Sequence, residues 1–114
     1  MKTELEERTK KFAVRVVKTV GGFPKTSEGK IIGRQLLKAG TSIGANYHEA
    51  NRAESRDDFI HKTGIAEKEA AETIYWLEIC HETRLGVEKQ IAEVLDEANQ
   101  LLAILITIGR KAKK

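Results

Sequence analysis

A single cysteine, Cys80, excludes a disulfide framework within the chain and any zinc site built from its cysteines. Little need for oxidative cross-links points to a reducing compartment, and a cytoplasmic location is expected. One proline leaves long stretches free to be helical, and aromatic residues make up only 5%. No period-2 alternation and no Asn-Gly or Asp-Gly hairpin signal occurs, so strands are not expected. No charged region followed by an apolar run opens the sequence, so no signal peptide is expected. A charged share of 32% excludes a membrane-spanning bundle, and an apolar share of 40% is too high for a disordered chain. With 114 residues, one domain over 1–114 is the expectation.

Four helical segments separated by short breaks are present instead. The first runs from Glu4 to Val20, with Thr3 as cap and Glu6 completing a capping box. Leu5, Phe12, Ala13, Val16, Val17 and Val20 form its apolar face, and Gly21-Gly22-Phe23-Pro24 ends it. The second starts after Ser27 and reaches Asn51, with Ile32, Leu36, Ala39, Ile43, Tyr47 and Ala50 as its stripe. It contains Gly33, Gly40 and Gly44, each costing about 1 kcal/mol relative to alanine inside a helix. Either another helix approaches closely there, or the helix kinks near Gly40.

Ser55 caps the third segment, which runs to Glu82 with Phe59, Ala66, Ala70, Thr73, Leu77 and Cys80 on one face. Leu85-Gly86 closes it, and Val87 begins the fourth. Val87, Ile91, Val94, Ala98, Leu101, Leu105 and Ile108 step by alternating fours and threes, a heptad seam. Short connections make successive helices antiparallel, so the expected fold is all-α, an up-down-up-down four-helix bundle. Ile65 and Trp76 lie off the third segment's main face, and Ile104 and Ile106 sit in a stretch apolar on every side. That stretch is too short for a bilayer span, which takes about 20 apolar residues. Ile104 and Ile106 are expected to be covered by further copies of the chain, in a homo-oligomer; Ile65 and Trp76 either join that interface or form the edge of a broad core face.

The net charge of +3 is unevenly spread: residues 1–54 carry eleven basic and six acidic side chains, and residues 55–86 four basic and seven acidic. Arg8, Lys11, Arg15 and Lys18 recur at helical spacing along the first segment, and Arg34 and Lys38 stand four apart on the second. Such a row of cations suits a phosphate backbone without base readout, so RNA or DNA is an expected partner; a protein partner for the same surface is the alternative. Ser42, Asn46, Glu49 and Arg52 make a polar line, with Glu69 and Glu72 on the next helix placed to complete a register-fixing network.

Catalytic patterns are sparse. Glu78-x-x-His81 and Asp58-x-x-His61 share one helix and lie about 30 Å apart, too far to hold one metal ion. Cys80 falls on an apolar face, and no phosphate-binding loop is present. No catalytic residue, metal or cofactor is expected.

The stretch Gln35-Leu36-x-x-Ala39-x-x-Ser42-Ile43-x-x-Asn46-x-x-Glu49 resembles the signature of the bacterial four-helix-bundle proteins encoded in intervening sequences of 23S ribosomal RNA genes. Ser55-x-x-Asp58-Phe59 and Ile65-Ala66-x-x-Glu69-Ala70-x-Glu72 continue the match. The chain departs from that pattern after Glu49, which is followed by Ala50-Asn51 where the family usually shows Glu-Gly, and at Lys68, where the family often has Gly-Ser before the Glu. The chain is also similar to the accessory variability proteins of diversity-generating retroelements. The resemblance implies a left-handed bundle assembling as a ring, a pentamer, with a basic surface that binds nucleic acid and no enzymatic activity.

Overall fold

The computed structural model describes residues 3–114, and four helices account for nearly all of them: α1 (Glu4–Gly21), α2 (Ser27–Ala50), α3 (Arg56–Thr83) and α4 (Glu88–Lys113). Each helix packs on the next and α4 returns to α1, while among the described residues the backbones of the diagonal pairs stay more than 8 Å apart. This is the up-down-up-down bundle, a rod of 44 × 23 × 21 Å. The α1–α4 seam is the most thinly packed of the four.

The helix ends follow local chemistry. Thr3 Oγ1 accepts the Glu6 N–H and Glu6 Oε2 accepts the Thr3 N–H, both at 3.1 Å, closing the expected capping box. The cap of α2 is Thr26, one residue before Ser27: its hydroxyl accepts from the Gly29 N–H. Ser55 caps α3 as expected. The end of α3 differs from expectation. Arg84, not Gly86, takes the left-handed conformation that stops the helix (φ 57), and the Leu85 N–H closes back on the Cys80 carbonyl. Gly86 also has positive φ, and Phe23's ring would lie only 2.7 Å from a β-carbon there.

The core comprises Phe12 and Val16 of α1, Leu36, Ile43 and Tyr47 of α2, Ala66, Ala70, Leu77 and Cys80 of α3, and Ile91, Val94, Leu101 and Leu105 of α4. Two residues expected on inward faces point outward: Val17 is 51% exposed and Val87 54%. Val17 stands about 100° round from Val16, and the inward positions it would need belong to Thr9 and Thr19. Val87 is only the cap of α4, before the helix begins.

The α2 glycines mark close approach. A β-carbon on Gly33 would sit 3.1 Å from Val20 Cγ1, on Gly40 2.9 Å from both Val16 methyls, and on Gly44 3.0 Å from Thr9 Oγ1. All three face α1, and α2 runs unbroken through Gly40. Gly64 in α3 has open space around it and is exposed. Replacing Gly40 by leucine is therefore expected to destabilise the fold by about 1–3 kcal/mol through overpacking. Gly64→Ala is expected to stabilise it by about 0.5–1 kcal/mol through helix propensity. Urea denaturation of the two variants reads both signs, and a tolerated Gly40→Leu would refute close packing at that point.

Candidate nucleic-acid interface

Because the glycines let α1 and α2 close on each other, the surface over their seam is a shallow groove. Near the α1 N-terminus it forms a cleft of about 300 Å³ between Lys10 and Ala13 on one side and Thr41, Ala45 and His48 on the other. At the other end a cleft of about 280 Å³ has Val20, Phe23 and Leu37 as floor and Lys25, Lys30 and Arg34 around it. Lys11, Lys18 and Lys38 stand exposed on the same two helices.

The predicted line of four cations on α1 divides in two. At about 100° per residue, Arg8 and Arg15 lie within about 20° of each other, as do Lys11 and Lys18, and the two rows stand about 60° apart. Lys11 and Lys18 are exposed, as are Arg34 and Lys38, and none of the four forms an ion pair among the described residues. Arg8 and Arg15 turn toward α4. Arg8 Nε and Nη2 donate to the two Glu97 carboxylate oxygens at 2.7 and 2.8 Å, and Nη2 also donates to Gln100 Oε1 at 2.9 Å. That pairing raises the Arg8 pKa and lowers that of Glu97. Arg15 lines an open cleft with Glu93, Asp96 and Glu97. The sequence reading missed Lys10, Lys25 and Lys30. For Lys30 a signal existed, since Lys30, Arg34 and Lys38 repeat every four residues.

The six polar residues placed in one network form separate contacts. Ser42 Oγ donates to the Lys38 carbonyl and Asn46 Nδ2 to the Ser42 carbonyl, both within α2. Glu49 accepts from Lys62 Nζ at 2.9 Å, which fastens α2 to α3 and lowers the Glu49 pKa. Glu69 and Glu72 are half-buried, with Glu72 3.5 Å from the Trp76 indole N–H. Among the described residues, no side-chain hydrogen bond joins the α2 members to Glu69 or Glu72.

Arg52 belongs to a different cluster, centred on Glu6. The Glu6 side chain is 4% exposed. Beyond the capping bond it accepts from Arg52 Nη1 at 2.9 Å and Asn51 Nδ2 at 3.2 Å, and lies 3.0 Å from His48 Nδ1. The Thr3 backbone N–H and the Arg52 guanidinium hold its carboxyl down to about 2. The capping box was legible in sequence; its second use, tying α1 to the end of α2, was not.

Ile65, Trp76, Ile104 and Ile106 are each half-buried within one chain. The large apolar side chains left most open are Val14, Val17, Ile31, Tyr75 and Val87. Tyr75 meets Trp76 edge to face, with centroids 5.1 Å apart. Glu78, His81, Asp58 and His61 all lie on α3, and among the described residues no three His, Cys, Asp or Glu side chains converge as metal ligands. Cys80 is buried, which pushes its thiol up to about 11. No helix among the described residues is long and apolar enough to cross a membrane.

The family model of the 23S rRNA-intervening sequence protein matches residues 1–107. The chain is also similar to a crystal structure of a Bacteroides thetaiotaomicron protein of unknown function from the S23 ribosomal protein family. The two are 39% identical with a TM-score of 0.82, over 91% of this chain and 96% of that one. No curated protein matches the chain.

The Glu6 cluster has a pH signature. Its carboxyl is lowered from 4.5 to about 2 on folding, so its contribution is complete above pH 4.5 and fades as the pH falls toward 2. Glu6→Gln is expected to lower the melting temperature at pH 7, and the gap to wild type should shrink steadily below pH 4.5. A gap that stays constant down to pH 2 would mean the carboxylate charge contributes nothing.

Proposed function

The chain belongs to the family of 23S rRNA-intervening sequence proteins, and we propose that it is a non-catalytic bundle that binds structured RNA or DNA along the α1–α2 face. The observation that carries this reading is the density of unneutralised cations on the outer surfaces of α1 and α2 and on the turn between them. Lys10, Lys11, Lys18, Lys25, Lys30, Arg34 and Lys38 are all exposed, and none has a carboxylate partner among the described residues. The acidic side chains exposed on the same two helices are fewer, Glu4 and Glu7 near one end, Glu28 at the other and Glu49, which Lys62 neutralises. A rigid rod of this kind presents charge at helical intervals to a backbone carrying a phosphate charge every few ångströms.

Binding is electrostatic and indifferent to base identity, because the face offers lysines and few aromatic rings. In this reading copies of the chain assemble as a homo-oligomer, a ring. Ile65 and Trp76 on α3, and Ile104 and Ile106 on α4, supply contacts, and the exposed Tyr75 beside Trp76 extends that surface.

Fluorescence anisotropy with a labelled RNA hairpin, across a salt series, tests the binding. Wild type is expected to lose affinity steeply with salt. Lys11→Glu/Lys18→Glu is expected to weaken binding at least about tenfold and to flatten the log–log salt slope by about 2, one for each lost phosphate contact. Equal binding by both proteins would remove this face from the reading. Light scattering checks the assembly: a mass that stays at 12.7 kDa at high concentration would exclude the oligomer.

A further inference from the structure

The cations of α1 that the exposed face does not use have a definite arrangement. We propose that Arg8, at the α1–α4 seam, forms a latent phosphate site that the protein's own carboxylate, Glu97, keeps occupied. This rests on the nucleic-acid reading above and adds one contact to it.

Arg8 grips Glu97 side-on, with Nε and Nη2 each donating to a different carboxylate oxygen at 2.7 and 2.8 Å. A phosphodiester presents the same edge of two charged oxygens, and the planar guanidinium fork accepts either group. Glu97 thus stands in the position of a phosphate. Arg15, two turns further along α1, opens on a cleft of about 470 Å³ with Glu93, Asp96 and Glu97 on its far side. Its charge also helps to lower the Glu97 pKa, after the larger effect of Arg8. The pair is accessible: the Arg8 and Glu97 side chains are 35% and 19% exposed. The seam is also the thinnest in the bundle, and neither side chain belongs to the core. A backbone lying along Lys11 and Lys18 passes about 60° round the helix from this row. Its phosphates come within reach of Arg8 once the competing carboxylate is neutralised.

A double-mutant cycle on duplex RNA binding tests the site, with the salt slope as readout. Glu97→Gln removes the competing charge and keeps an amide oxygen for Arg8. It is expected to tighten binding about five- to tenfold and to steepen the slope by about 1, for one added phosphate contact. In the Arg8→Gln background the same change should leave the slope unaltered, since no guanidinium is released there. The double variant Arg8→Gln/Glu97→Gln removes both members of the pair, leaves the net charge unchanged and should bind within about twofold of wild type. An equal slope change in both backgrounds would show a general charge effect and overturn the latent site. So would a Glu97→Gln protein that melts like wild type and binds no better, with the exposed-face reading left intact. A tenfold loss in the double variant would mean Arg8 already contacts the nucleic acid, and would also overturn it. Absence of binding by wild type and Glu97→Gln alike would overturn both this site and the proposed function.

Discussion

The close approach of α1 to α2 underlies the rest of the molecule. Three glycines on one side of α2 receive Val20 and Phe23, Val16, and Thr9, and the absence of β-carbons there lets the two helices meet almost backbone to side-chain root. Three interior glycines weaken a helix in isolation by about 1 kcal/mol each. Packing recovers this because Val16 and Phe12 are then fully enclosed, and the Thr9 hydroxyl, buried beside Gly44, is satisfied by the Leu5 and Glu6 carbonyls of its own helix. The same closeness turns the outer surface of the pair into one continuous face. Lysines carried on two helices can then act together on one elongated anion.

Charge on this bundle is sorted by neighbour. Where α1 faces α4, Arg8 pairs with Glu97 and Arg15 borders a cleft with Glu93 and Asp96; on the outward arc of α1, Lys10, Lys11 and Lys18 form no ion pair among the described residues. The choice of residue fits the sorting. Arginine's fixed fork suits the bidentate pair at Glu97, while lysine's compact, flexible charge suits an exposed electrostatic face. Glu6 shows a third arrangement. Its carboxylate sits at the meeting of α1 with the end of α2, gathers donors from Thr3, Asn51 and Arg52 with His48 alongside, and is nearly closed off from water. It fastens the end of the helix pair opposite the Gly21–Pro24 turn.

Much of the fold was readable because helices are written locally. Thr3 with Glu6, Ser55 with Asp58, the Pro24 break and the four-three stepping from Ile91 to Leu105 each depend on residues within a turn or two of one another. The glycines were readable as an anomaly with two explanations, and contact geometry chose between them. Thr26 displaced Ser27 as a cap, and Arg84 displaced Gly86 as the helix stop. Several nearby residues could serve in each turn, and the backbone path selects one.

The site was less readable. The sequence by itself determined how many cations there are, that they repeat at helical spacing, and that they concentrate before residue 55. It could not determine which of them are free. Arg8 and Glu97 are 89 residues apart, and Arg52 and Glu6 are 46 apart. An ion pair depends on separations of a few ångströms, set by how helices from distant parts of the chain align. A rotation of about 60° around α1 separates a lysine in open water from an arginine held by a carboxylate. That angle exists only once α4 lies alongside, so the tertiary structure decided which charges remain available to a partner.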